Sequence, residues 1–204
     1  MADSLAPDVV IPLLRGRFGR PYRYVNRCTS TQRLLEPADA EGAVAATEEQ
    51  TEGRGRLGRS WHAPPRTSIL ISILLKPTVD GSRLPELSLV AGRAVAEAIG
   101  AETTLTPSLK FPNDVLLEGR KVAGILAEAS EGRVVLGIGV NVNQTADELP
   151  RETETPSTSL RLETGNELDR ARLLVSILEW LELEYERWLR EAQGAAPVSG
   201  RVLG

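Results

Sequence analysis

Apolar residues recur at helical spacing in three stretches of this chain. Residues 8–18 put Val9, Val10, Leu13 and Leu14 on one face, which predicts a short helix. From Leu84 to Ile99 the positions Leu87, Val90, Ala91, Ala94, Val95 and Ala98 form a stripe, and Gly100 is placed to end that helix. The third stretch, Leu168 to Leu189, carries a stripe through Leu174, Ile177, Leu178, Leu181, Tyr185 and Trp188. Ser68 to Leu75 is a nearly unbroken apolar run ended by Pro77 and reads as a buried strand. Shorter strands are expected at Tyr22 to Asn26, Ala43 to Glu48, Ser108 to Phe111, Val115 to Leu117, Val122 to Glu128 and Val134 to Val140. Turns at Glu118-Gly119 and Glu131-Gly132 join the last three of these into a meander. Ser30 is placed to cap a brief helix holding Leu34 and Leu35, stopped by Pro37. The polar segment from Gln144 to Asn166 reads as a long loop, and the tail from Gly194 as unstructured.

Strands joined mainly by hairpins, with separate helices, predict an α+β fold: a mixed, mostly antiparallel sheet with helices packed on one face. The division expected is a short N-terminal extension (1–19), one catalytic domain (20–192) and a tail (193–204).

Composition narrows the chemistry. A formal net charge of −4 does not suit a polycation built for nucleic acid. A single cysteine, Cys28, excludes an internal disulfide and a cysteine zinc cluster, and it reads as a small buried hydrophobe. The single histidine, His62, lies beside Pro64 and Pro65 and reads as a loop residue, not a ligand; no metal site is expected. Trp180 and Trp188 read as packing residues of the last helix. The N-terminus has no basic region before an apolar run, and no segment reaches membrane-spanning length, so a cytoplasmic protein is expected.

The densest chemical signal is Gly53-Arg54-Gly55-Arg56-Leu57-Gly58-Arg59. Its glycines let backbone N–H groups approach a ligand, and its arginines are shaped for phosphate or carboxylate. The stretch satisfies G-x-G-x-x-G and approximates a P-loop, but both motifs must open a helix. Trp61-His62-Ala63-Pro64-Pro65 follows instead and prevents one. An anion-binding loop between two strands is therefore expected. Taken alone, it also fits a solvated basic loop.

Three further clusters accompany it. In Lys110-Phe111-Pro112-Asn113-Asp114 a turn separates Lys110 from Asp114, so an ion pair between them is feasible. Gly124 interrupts a strand after Lys121, which suggests a bulge or a ligand against the backbone. Gly137 and Gly139 repeat that theme, followed by Asn141 and Asn143.

Ser30-Thr31-Gln32, Gly53 through Arg59 with Trp61, Lys110 through Asp114, Lys121 through Leu126 and Gly137 through Asn143 resemble, in order and spacing, the motifs of biotin protein ligases. The resemblance covers roughly residues 20–190. It implies a seven-stranded sheet of the kind shared with class II aminoacyl-tRNA synthetases. Activity would be ATP-dependent formation of biotinyl-5'-AMP, then transfer to a lysine of a biotin carboxyl carrier domain. By resemblance, Ser30, Thr31, Gln32, Gln50, Arg54, Gly55, Arg56, Lys121 and Gly124 would bind biotin. Gly53, Arg54, Arg56, Arg59, Trp61, Lys110, Asn113, Asp114, Gly137 and Asn141 would serve ATP and the adenylate. Lys121, Arg56 and Asp114 would carry catalysis, with Mg²⁺ accompanying ATP. An apolar wall is expected from Ile125, Leu126 and Val140. A carboxylase carrier domain is the expected partner, with neither nucleic acid nor membrane, and a homodimer is the self-association considered. Phe111 stands where the family commonly has tryptophan, and Gln32 where it has asparagine. Repressor members carry an N-terminal winged helix-turn-helix, for which about twenty residues leave no room here. Members continue into a small C-terminal β-barrel, whose start the last residues resemble.

The attacking carboxylate is already an anion, so adenylation needs charge neutralisation and positioning rather than a base. Competing readings are a lipoate or octanoate ligase or transferase of the same fold, a non-catalytic adenylate-binding module, and a nucleic-acid binder using the basic loop.

Overall fold

A computed structural model describes residues 3–150 and 153–194 of the 204-residue chain. In chain order its elements are α1 (Pro7–Val10), β1 (Tyr22–Cys28), β2 (Val44–Gln50), β3 (Ser68–Leu75), α2 (Leu87–Glu102), β4 (Ser108–Lys110), β5 (Asp114–Leu117), β6 (Arg120–Ser130), β7 (Arg133–Asn141), α3 (Leu160–Thr164) and α4 (Arg170–Ala192). The seven strands form one sheet in the order β1-β2-β3-β7-β6-β5-β4. β1 pairs parallel with β2, and every other pairing is antiparallel. This is the expected mixed, mostly antiparallel sheet.

Strand periodicity divides the two faces. Val44 and Ala46 of β2, Ile69, Ile71 and Ile73 of β3, and Leu136, Ile138 and Val140 of β7 pack with the apolar stripes of α2 and α4 in one core. Each fully buried leucine or isoleucine there contributes roughly 1.5–3 kcal/mol. The opposite face carries Thr47, Ser72, Gly137, Gly139, Asn141 and Gly124 through the paired positions Ser72↔Gly137 and Gly124↔Gly139. Small and polar residues leave that face uncovered by helices.

The ends of the elements differ from the sequence expectation in four places, the first being that Ser30 makes no side-chain cap to the 3₁₀ turn Thr31–Leu34 and Leu35 is extended beyond it. The N-terminal helix is one turn, α1, extended by a 3₁₀ turn to Leu13. Its segment is integral to the domain, since Leu5, Val10, Leu14 and Phe18 are buried in the main core. Gly100 does not end α2, which runs on to Glu102. Gly100 is not among the left-handed glycines and stays within the helix, which ends instead where Thr103 turns to extended backbone. Residues 144–166 are not all loop. They hold a 3₁₀ turn at Ala146–Glu148, closed by a Thr145–Glu148 capping box, and α3, capped by Ser159 and ended by left-handed Gly165. The tail expectation concerns residues 195–204, which lie outside the described residues.

A buried ionic knot anchors the start of α4. Arg170 is 0% exposed. Its guanidinium meets Glu48 and Asp3 at 2.6 Å each and donates to the Ser68 carbonyl at 2.9 Å. Glu48 is itself buried and accepts from Leu5 N at 2.9 Å.

Both two-residue hairpin turns run through a left-handed glutamate: Glu118 at φ 47° and Glu131 at φ 51°, each before a left-handed glycine. This is the Asn-Gly geometry, and a glutamate strains it. Glu131→Asn is expected to stabilise the domain by about 0.5–1 kcal/mol, a rise of about 1–4 °C in the melting midpoint. An unchanged midpoint in a thermal melt would remove strain as the explanation.

Candidate active site

The uncovered sheet face floors a cavity of about 550 Å³. Its walls are the short turn Thr31–Leu34 after β1, the Gly-Arg loop between β2 and β3, the β4–β5 turn, the start of β6 and residues 153–157. Of the site residues expected from sequence, Ser30, Thr31, Gln32, Gln50, Arg54, Gly55, Arg56, Arg59, Trp61, Asn113, Asp114, Lys121, Gly124, Gly137 and Asn141 line it. Gly53 and Lys110 do not. Gly53 instead clasps the base of the loop: its carbonyl accepts from Trp61 N at 2.8 Å, and an added Cβ would lie 2.3 Å from the Trp61 carbonyl. Lys110 is exposed and donates to Thr155 Oγ1 at 2.6 Å.

One end of the cavity is a buried polar relay. Thr31 donates its backbone N–H to Gln50 Oε1 at 2.8 Å and its hydroxyl to the same oxygen at 3.1 Å. Its only hydroxyl proton is then committed, so Ser72 must be the donor in the 2.7 Å contact between Ser72 Oγ and Thr31 Oγ1. The backbone donor also fixes the Gln50 amide orientation. Gln50 Nε2 is left as a donor toward the cavity and the Ser72 hydroxyl oxygen as an acceptor, and Ser30 adds a further hydroxyl to the lining. Ser72 reads in sequence only as a blemish in an apolar run.

The floor is bare backbone covered by an indole. A Cβ on Gly139 would lie 2.6 Å from Trp61, and one on Gly124 2.9 Å from it. Where a bulge or a ligand was expected against these glycines, a side chain of the same chain lies close instead: Trp61 over Gly124 and Gly139, Gln32 over Gly137. Trp61 Nε1 is buried without a hydrogen-bond partner among the described residues. The expected apolar wall is corrected at Val140. Ile125 and Leu126 both line the cavity, whereas Val140 does not and packs in the helix-side core, which Ile125 also joins.

The other end is cationic. Lys121 reaches it through a β-bulge. Val115 pairs with Ala123, but the next residue, Leu116, pairs with Lys121, so β6 holds one extra residue at Val122. That extra residue sends Val122 into the core and turns Lys121 to the cavity. Lys121 Nζ then lies 2.7 Å from Asp114 Oδ1 and 5.6 Å from the Trp61 ring centroid. Asp114 therefore pairs with Lys121, not with Lys110 as the turn alone suggested. Lys110 and Asp114 do oppose one another across the β4–β5 pairing, but the bulge delivers a closer cation. Arg54 pairs with Glu128 at 2.5 Å and Arg59 with Glu154 at 2.8 Å. Arg56 donates to the neutral Asn113 Oδ1 at 3.3 Å and has no carboxylate partner among the described residues. Its charge is the uncompensated one at the mouth.

Residues 153–157 escaped sequence reading because a polar loop has no period. Lys121 N donates to the Pro156 carbonyl at 2.7 Å and Thr158 N to the Lys121 carbonyl at 2.9 Å, which docks this segment beside β6. Asn141 Nδ2 in turn donates to the Thr158 carbonyl at 3.0 Å.

The remaining single residues are placed as follows. His62 lines the cavity from the loop. Cys28 is half-buried at the end of β1, not fully buried; burial pushes its thiol pKa up, against a hydrogen bond with Thr47, so it is no activated nucleophile. Trp188 is buried in the core and stacks on Tyr185, while Trp180 packs partly buried against that core. Among the described residues, no cluster of three His, Cys, Asp or Glu could hold a metal ion. No helix there is long and apolar enough to cross a membrane.

Residues 24–144 match the Biotin/lipoate A/B protein ligase family. The bifunctional ligase/repressor BirA of Bacillus spizizenii is 35% identical over 189 residues, covering 88% of this chain and 58% of that protein. The biotin–[acetyl-CoA-carboxylase] ligase of Mycobacterium tuberculosis is 40% identical over 161 residues, covering 76% of this chain and 59% of its own length. The chain thus spans less than two thirds of the length of these curated relatives. Among solved structures, the biotin protein ligase from Aquifex aeolicus in complex with biotin and ATP superposes with a TM-score of 0.74 at 35% identity, covering 84% of this chain and 72% of that one.

Proposed function

This chain belongs to the biotin/lipoate A/B protein ligase family, and from that premise we propose that it activates biotin with ATP and transfers it to a lysine of a carboxylase carrier domain. The polar relay at the closed end of the cavity carries the choice of substrate. Gln50 Nε2 offers a donor and the Ser72 hydroxyl oxygen an acceptor, and Ser30 adds a further hydroxyl to the lining. A ureido ring supplies one carbonyl acceptor and N–H donors to match. A dithiolane ring supplies neither and would leave buried groups unpaired, which a site of this kind rejects strongly. The names of the mycobacterial and Aquifex relatives support the same substrates.

In the proposed first step, a biotin carboxylate oxygen attacks the α-phosphorus of ATP and pyrophosphate leaves. Arg56 and Lys121 offset the charge that builds on the phosphoryl oxygens, and Trp61 and the loop exclude water from the anhydride. Mg²⁺ enters with the ATP phosphates as part of the substrate. In the second step the neutral lysine amine of the carrier attacks the biotinyl carbonyl and AMP leaves; Asp114 is the carboxylate placed to orient that amine. We assign these steps to residues 20–192 and infer a cytoplasmic location, which the need for ATP supports.

The test is ATP–pyrophosphate exchange on the folded chain, with biotin and lipoate in parallel. Exchange with biotin and none above background with lipoate is expected. Exchange with lipoate alone would transfer the chain to the lipoate branch, and folded protein without exchange would leave a binding module.

A further inference from the structure

The Gly-Arg loop is a small rigid body. Gly55 N donates to the Arg59 carbonyl at 2.7 Å and Trp61 N to the Gly53 carbonyl at 2.8 Å, so its two arms are tied to each other. Besides its contacts to the β4–β5 turn through Arg56–Asn113 and to residues 153–157 through Arg59–Glu154, it is fastened over the sheet face at two points. One is Trp61 on the glycine floor. The other is Arg54, whose Nη2 donates both to Gln32 Oε1 at 2.9 Å and to Glu128 Oε2 at 2.5 Å. Gln32 lies close over the strand because Gly137 has no side chain; a Cβ there would come within 3.4 Å of its amide nitrogen. That nitrogen turns toward the Leu126 carbonyl at 3.5 Å, which leaves Oε1 facing Arg54. Glu128 follows Gly124 and Leu126 on the same face of β6, beyond the cavity and on the outer side of the loop. The nearby Glu52 is engaged by Arg33 at 3.0 Å.

We propose that Glu128 is a positioning residue that latches the Gly-Arg loop through Arg54 and so sets how long the loop stays closed over a bound adenylate. The latch itself stands on geometry alone; its link to an adenylate rests on the function proposed above. Glu128 does not line the cavity and acts only through Arg54. Both partners are half exposed, so releasing one should shift loop opening by up to about fivefold.

Amide hydrogen exchange on the full chain tests the latch without any substrate. In Glu128→Ala, the amides of Gly55, Arg59 and Trp61 should exchange two- to fivefold faster than in the parent, with β6 and β7 unchanged. Glu128→Gln should fall between. The charge swap of Arg54→Glu with Glu128→Arg should restore slow exchange. Unaltered loop exchange, or equal acceleration in β6 and β7, would overturn the proposal. The second arm is escape of preformed biotinyl-adenylate, expected to be two- to fivefold faster in Glu128→Ala while kcat for exchange holds. If the parent chain forms no adenylate, the functional reading fails and the amide arm still decides the latch.

Discussion

Lys121→Ala is expected to lower biotin-dependent ATP–pyrophosphate exchange by about 100-fold or more, the usual cost of removing one preorganised charge from a transition state. The bulge at Val122 turns this lysine alone of β6 into the cavity, between Asp114 and the Trp61 ring. Among the described residues, no other cation lining the cavity is held there by a strand. Arg54, Arg56 and Arg59 all ride on the loop. Lys121→Arg keeps the charge but not its point geometry and should recover only part of the rate. The melting midpoint should move little, since the ammonium is partly solvated. Exchange within a few-fold of the parent would assign charge neutralisation to the loop arginines instead.

The second large effect is on stability. Arg170→Ala should cost about 3–5 kcal/mol, because it strands the Glu48 carboxylate in the core with Leu5 N as its remaining donor. For a domain of this size the melting midpoint should fall by roughly 6–20 °C. The loss is one of an unpaired charge, not of an intrinsically strong bond. Arg170→Met with Glu48→Met should therefore restore much of it. Chemical denaturation of the three proteins measures the difference. A double variant no more stable than Arg170→Ala would show that packing, and not the stranded charge, sets the cost.

What could be read from the sequence follows from where side chains interact locally. The hairpins were legible because Glu118-Gly119 and Glu131-Gly132 are turn pairs between strand-period runs. Gly124 and Gly137 were legible because glycine weakens a strand unless something lies against it. Their covering groups, Trp61 over Gly124 and Gln32 over Gly137, come from a loop and a short turn with no period, and periodicity says nothing of where such segments land. The Lys121–Asp114 pair was missed because a one-residue bulge inverts the alternation on which face assignment rests. Nothing in the sequence singles out Glu128, because its partner Arg54 comes from the loop. Nothing in the sequence marks Arg170 for burial, which depends on Asp3 and Glu48, both more than a hundred residues away in sequence. The family motifs compensated for much of this, since their order marks residues whose neighbours lie far off along the chain.

The pairing of β3 with β7 joins segments roughly sixty residues apart, the kind of non-local contact that slows folding. β5, β6 and β7 are joined by tight turns and form locally. They bring Asp114, Lys121, Gly124 and Gly139, while Ser30, Thr31, Gln50 and Ser72 arrive with the other half of the sheet. The cavity straddles that seam, so neither half holds a working site before the two meet. Any ligand spanning it would bind only the completed sheet and would shift the folding equilibrium toward that state by mass action.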